Sequence, residues 1–422
     1  MTMTNSTTAL GISKAYFETK IWLRDAIRTE RFFFLFWLAG PFIYLIERSP
    51  ADAWLSIIAL SFLVRCAVRK EWQWTEQLWF RSTLLFWFIC LLSAILSTLP
   101  QTSLAEAIIW IRFPVFAAAC QIWLGKHRFQ RVMMLLAIAV AMFLMTGILS
   151  AEAILAPKDR LSWPYGDLVP GNYLAKTAMP ALVVLAPLFL YQKNLFGLMG
   201  LFYSLLISVL TGERINLLLR ICASGLALMS WRANFRRLFY TFSAAFLFLG
   251  LLFSFNDNLK ERFGTHFIQQ SPLSLETSPY WAVWRAGLQG AHESPALGVG
   301  PGNLRFVCEQ LPEISAPGVT DCDNHPHHYY FQLLGEVGIM GLMAGILMFT
   351  CLLLTCWQAR QTNDTDGDSC PLAATAYIMP FAFFWPLQST ADFFGQWNNC
   401  FMWLALGFAI MQNQNYKQNK DD

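Results

Sequence analysis

Asp321-Cys322-Asp323-Asn324-His325-Pro326-His327-His328-Tyr329-Tyr330-Phe331-Gln332-Leu333-Leu334-Gly335-Glu336-Val337-Gly338-Ile339-Met340-Gly341-Leu342 is the stretch on which the reading of this chain turns. It opens polar, sets three of the six histidines within four positions, and then enters a long apolar run. Imidazole is the side chain that exchanges a proton near neutral pH. The apolar run that follows, near 328–357, exceeds the roughly 20 residues that a helix needs to cross about 30 Å of hydrocarbon. A cluster of bases at the mouth of a membrane helix is therefore the first expectation.

The rest of the chain agrees with a membrane setting. Of 422 residues, 56% are hydrophobic and 14% charged, against about 25% charged in soluble domains. Mean hydropathy is +0.42. Twelve apolar runs are expected to span, near 32–48, 52–68, 82–99, 104–124, 132–155, 173–191, 195–211, 214–231, 237–255, 328–357, 371–389 and 397–412. The expected fold is an all-α polytopic membrane protein. Spans 1–9 fall in residues 1–255, one large periplasmic loop with short helices in 256–326, and spans 10–12 with a cytoplasmic C-terminus in 327–422. No cleavable signal peptide is expected, because a polar, basic arm precedes the first apolar run at Phe32. The net charge of +3 is small and spread along the chain, so no nucleic-acid partner is expected.

Lys and Arg set the orientation. With both termini in the cytoplasm, nineteen of the 30 fall on that side and eight on the other. Arg112, Lys176 and Arg220 remain at membrane depth. Cys308 and Cys322 lie in the large loop, where an oxidising compartment would let them pair; the other cysteines read as buried apolar residues. The acidic segment at 361–368 reads as a cytoplasmic turn, since it lacks the closing Glu of a calcium loop.

Within the large loop, Ser278 to Gly290 has helical spacing with Trp281, Trp284 and Leu288 on one face, as an interfacial helix would. Ser294-Pro295-Ala296-Leu297-Gly298-Val299-Gly300-Pro301-Gly302-Asn303 then reads as a glycine-punctuated turn. Its amides could approach an anion closely, or it could simply redirect the chain.

His327 is the leading chemical candidate. In a helix starting near Pro326 it would share a stripe with Phe331 and Leu334, at a helix N-terminus that disfavours imidazolium and keeps the ring a base. His325 and His328 read as caps or headgroup contacts. A metal site from Asp321, Cys322, Asp323, His325, His327 and His328 fits no strict ligand spacing, and none is expected. Arg214, at the outer end of the eighth span, presents a fork that matches phosphate oxygens. Arg220 lies six residues deeper, about 9 Å along a helix. Charges at such depth usually line a polar cavity. Lys176 could face the same cavity, and Arg112 reads as structural.

His327, then nine residues after His328, then Gly338 and Gly341, resembles the signature of the O-antigen ligase and polymerase superfamily, a His, then Asn, Ser or Gln, nine residues and Gly-x-x-Gly. His328 departs from it. Pro170-Gly171-Asn172-Tyr173-Leu174-Ala175 is similar to the family's Asn-x-Leu-Ala segment, and Thr211-Gly212-Glu213-Arg214 to that of its first essential Arg. Trp284 to Leu288 and Gly298 to Asn303 resemble the loop closing with Gly-x-Gly. The family's second Arg, four residues before that Trp, is Tyr280 here, so Arg285, Arg262 or Arg305 must stand in. The resemblance covers about 170 to 345.

The resemblance implies a membrane glycosyltransferase of the bacterial inner membrane. It would transfer a glycan from undecaprenyl diphosphate to a hydroxyl of lipid A–core at the periplasmic face, with no metal, nucleotide or other cofactor. His327 would be the base and Arg214 would bind the diphosphate, with Arg285, Arg220, Lys176, Asn172, His328 and His325 around the substrates. A base opposite the leaving group predicts inversion. An O-antigen polymerase, a protein O-oligosaccharyltransferase and a lipid-linked glycan transporter remain as rivals.

Overall fold

The computed structural model describes residues 12–157, 161–163, 202, 205–206, 209–212, 214–230, 235–254, 260–261, 264, 279–312, 320–322, 325–362, 373, 375–386 and 392–414. The described residues form helices and connecting turns, with no strand among them. In chain order the helices are α1 (Ile12–Asp25), α2 (Arg28–Ile43), α3 (Arg48–Arg69), α4 (Leu78–Ile95), α5 (Pro100–Trp110), α6 (Arg112–Ala119, continued by a π-turn, Cys120–Leu124) and α7 (Arg128–Leu155). There follow α8 (Arg214–Ser230), α9 (Phe235–Ser254), α10 (Pro279–Glu293), α11 (Leu304–Val307), α12 (Tyr329–Thr362), α13 (Ile378–Phe383) and α14 (Gln396–Ile410).

Among the described residues, five stretches are long and apolar enough to cross a membrane: Arg48–Arg69, Leu78–Ile95, Pro100–Leu124, Arg128–Leu155 and Tyr329–Ala359. The expected spans near 32–48, 214–231, 237–255 and 397–412 correspond to α2, α8, α9 and α14, which are shorter as apolar helices. The span expected at 173–191 lies outside the described residues, as does most of 195–211. The described part of 371–389 holds the six-residue helix α13. Most of the acidic segment at 361–368 is likewise outside them.

Helix α3 shows why these segments belong in a bilayer. Trp54, Leu55, Ile58, Phe62 and Cys66 are buried at helical spacing, while Ile57, Leu60, Val64 and Val68 are exposed on the other face. A helix apolar all round needs an apolar solvent on its outer side. Lipid tails are as apolar as leucine, so close packing rather than water exclusion holds such helices together. The packing centre is α14, buried from Asn398 to Ile410, which lies against α3 and α6. A ring cluster of Phe86, Trp110, Phe393 and Trp403 joins α4, α5 and α14.

Arg112 pairs within the bundle, in keeping with its reading as structural. Pro114 lacks an N–H and crowds the carbonyl four residues back, so the α5–α6 rod is interrupted at Ile111. Arg112 Nη1 donates to the Ile109 carbonyl at 2.7 Å, and its Nε and Nη2 donate to Asp52 Oδ1 at 3.1 and 2.6 Å.

Candidate functional site

Helix α12 is the frame of the site, and it is broken. Gly338 has φ 67° and ψ −171° in mid-helix, a backbone shape that L side chains avoid. The break leaves carbonyls and amides of two turns without helical partners, and unmet polar backbone in an apolar setting is costly. The glycine-punctuated segment 294–303 supplies the partners. Val299 N and Gly300 N donate to the carbonyls of Gly335 and Glu336 at 3.0 and 2.8 Å, and Ile339 N and Met340 N donate to those of Pro295 and Ala296 at 2.9 and 3.2 Å. Gly302 N donates to Glu336 Oε2 at 3.0 Å. The Ser93 hydroxyl on α4 donates, in a shared bond, to the Leu297 and Glu336 carbonyls. A Cβ on Gly338 would sit 2.3 Å from the Ala296 carbonyl carbon, and one on Gly298 would sit 2.4 Å from that of Glu336. Three of the amides that might have cradled an anion are therefore spent on the protein itself. The segment is a plug in a helix break.

Helix α10 forms where expected, yet it does not lie alone at an interface. It packs along the first half of α12 with the backbones nearly touching: a Cβ on Gly287 would meet the Phe331 carbonyl oxygen at 2.5 Å. Trp284 stacks on Phe331 at 4.9 Å and meets the His328 ring edge-on at 5.1 Å. Arg285, the next residue, is 2% exposed.

The histidines do not begin the helix. Helix α12 starts at Tyr329, and His327 instead has φ 51°, correcting the expectation of a helix from Pro326 with His327 on a stripe with Phe331 and Leu334. A non-glycine residue in that region stores of order 1–3 kcal/mol of strain and persists only where its surroundings over-determine it. Those surroundings are visible. Cys322 is bonded to Cys308, with the Cα atoms 5.6 Å apart. Asp321 N donates to the Ala282 carbonyl of α10 at 3.1 Å. The rings of His325 and His327 lie 4.2 Å apart.

His328 is buried, and its Nε2–H donates to the Pro386 carbonyl at 2.7 Å. A carbonyl only accepts, which fixes the tautomer. Burial holds this imidazole below its ordinary pKa, and its bond is to a protein carbonyl rather than the helix cap or headgroup contact expected for it. Asn, Gln or Ser at this position could make the same donation.

Beneath the turn lies a polar set that sequence reasoning passed over. Gln332 Nε2 donates to Asp392 Oδ1 at 2.6 Å and to Glu336 Oε2 at 3.2 Å, while Phe393 N donates to Gln332 Oε1 at 2.8 Å. Gln332 and Glu336, two polar residues four apart in an apolar helix, were the available signal. Arg305 lies 3.8 Å from Glu106 and 3.9 Å from Asp392. Those two carboxylates compete with any bound anion for its charge. Arg262 is outside the described residues, and Arg285 is buried on α10 next to Trp284, whose ring meets His328.

Arg214 opens α8, and Arg220 is 1% exposed in its interior. Helix α8 contacts α13, and α13 contacts α12. The structure brings His325 against His327 and Trp284 against His328, while α8 meets the 377–383 region through Ser230, at the end opposite Arg214. Asn172 and Lys176 lie outside the described residues. Of the residues considered for a metal, Cys322 is taken up in the disulfide, and Asp323 is outside the described residues. No three His, Cys, Asp or Glu converge among the described residues.

Comparison with curated proteins yields no match. The family model described as O-antigen ligase matches residues 199–346, a span that holds Arg214, Arg220, Arg285, the three clustered histidines and Gly338, and this match supports the chain's membership of the O-antigen ligase superfamily.

Proposed function

We propose that the chain is an O-antigen ligase, moving a glycan from undecaprenyl diphosphate to a sugar hydroxyl of lipid A–core at the periplasmic face of the inner membrane. The observation that carries this reading is the left-handed backbone of His327 in a turn tied down by a disulfide, a backbone hydrogen bond and the edge-on contact of Trp284 with His328. Stored strain in an over-determined turn is a mark of functional sites, and here the residue that bears it is the one side chain type suited to taking a proton at neutral pH.

The chemistry assigns each group a task. The acceptor hydroxyl oxygen bonds to the anomeric carbon as its proton passes to His327. The bond from that carbon to the diphosphate oxygen breaks, and the leaving diphosphate takes the electron pair. Arg214 and Arg285 offset its growing charge, the kind of transition-state interaction that contributes most to rate. Attack opposite the leaving group inverts the anomeric centre. Both substrates are lipid-anchored, so orientation within one lateral cavity replaces chance encounter. Arg220, Lys176 and Asn172 would extend the donor side.

A deletion strain tests the assignment. Bare lipid A–core with accumulating lipid-linked polymer is expected; core carrying one repeat unit would make the chain a polymerase instead. Arg214→Ala is expected to lose more transfer than Arg214→Lys, because Lys keeps the charge without the fork. Wild-type activity in both would remove Arg214 from diphosphate binding.

A further inference from the structure

We propose a second lipid site, far from the histidine turn in sequence: a groove between α2, α3 and the π-turn after α6 that holds an anionic glycerophospholipid by its phosphodiester. The groove is an open one of roughly 380 Å³, lined by Phe33, Leu60, Val64, Arg65, Arg69 and Trp123 together with Glu30. Its lining is graded. From Leu60 to Arg69 the helix rises about 13 Å, passing from apolar side chains to two guanidinium groups one turn apart. That is the profile of one lipid, acyl chain below and headgroup above.

The arginines retain donors for it. Arg65 Nη1 donates to Glu71 at 2.5 Å, but its buried Nε has no hydrogen-bond partner. Arg69 lies 3.6 Å from Glu30, beyond hydrogen-bonding distance. A guanidinium carries five N–H donors, so neither is saturated by its carboxylate. Trp123 flanks the site, with the Arg65 guanidinium 5.8 Å from its ring centroid. Nearby α1 exposes Tyr16 and Phe17 beside Lys14 and Lys20, the make-up of a helix lying in a headgroup layer. Phosphate esters of an acidic leaflet are the matching anions.

Native mass spectrometry of the purified full chain released from nanodiscs of mixed phosphatidylglycerol and phosphatidylcholine tests this. The wild type is expected to retain phosphatidylglycerol selectively. Arg69→Gln should lower that retention about tenfold, the scale of one charged hydrogen-bonding partner. Val64→Trp, which fills an exposed part of the groove and touches no charge, should displace the lipid, and Glu30→Gln should raise retention. Equal retention of phosphatidylcholine, wild-type retention in both Arg69→Gln and Val64→Trp, or displacement by millimolar inorganic phosphate would overturn the proposal, the last by making the groove a free-anion site.

Discussion

Helix α12 breaks at Gly338 and the α5–α6 rod breaks at Ile111, but the two interruptions are closed by different means. Pro114 makes the second, and Arg112, its near neighbour, closes it with the Ile109 carbonyl and Asp52. Gly338 makes the first, and a segment some forty residues upstream closes it through four backbone hydrogen bonds and the Glu336 carboxylate. A kink sealed by its own side chains stabilises the bundle and stops there. A break sealed by a distant segment fixes that segment, and with it helix α10, which carries Arg285 and ends at the segment. The contrast separates a structural interruption from one that positions chemistry.

Gly338→Val attacks the positioning break hardest. It combines a forbidden backbone shape with a Cβ 2.3 Å from a carbonyl carbon, so a loss of at least about 3 kcal/mol is expected, read as a fall in thermal unfolding temperature in detergent with loss of transfer. Replacing both Cys308 and Cys322 by Ser opens a short loop whose closure is worth about 3 kcal/mol. At temperatures where this variant stays folded, kcat should still fall, because the histidine turn loses one of its ties. An unchanged kcat would mean that the other ties suffice. Arg112→Ala should cost about 2 kcal/mol by leaving Asp52 half-buried and unpaired, with transfer per folded molecule unchanged. Loss of transfer at full stability would erase the distinction between the two breaks.

The smallest effect is a pH dependence. The folded His328 titrates below its ordinary value near 6.5 because burial disfavours the charged ring. The unfolded chain therefore binds the proton more readily, so stability is full above that ordinary value and is lost as pH falls below it. His328→Gln keeps a donor for the Pro386 carbonyl and removes the titration. Its unfolding temperature should depend less on pH between 7 and 5, and an unaltered slope would place the titration elsewhere.

Much of this was legible from residues close in sequence. The helix expected over Ser278 to Gly290 forms as Pro279–Glu293, and the pairing of Cys308 with Cys322, open from the sequence, is made. What was not legible depends on partners distant in the chain. The segment at 294–303 read as an anion cradle or a simple change of direction because the acceptors of Val299 N and Gly300 N, the carbonyls of Gly335 and Glu336, are freed only by a helix break. Arg305 looked available because Glu106 and Asp392 come from elements far away in sequence. His327 was drawn on a helix because local spacing says nothing of ties to α10 and Cys308 that hold it in a left-handed turn.

Glycan transfer by purified chain carrying His327→Ala, with a defined lipid-linked donor and a lipid A–core acceptor, bears most directly on the catalytic role of that turn. The account predicts a rate at least about a hundredfold below wild type at an unchanged unfolding temperature. A near-normal rate from the folded variant would contradict it.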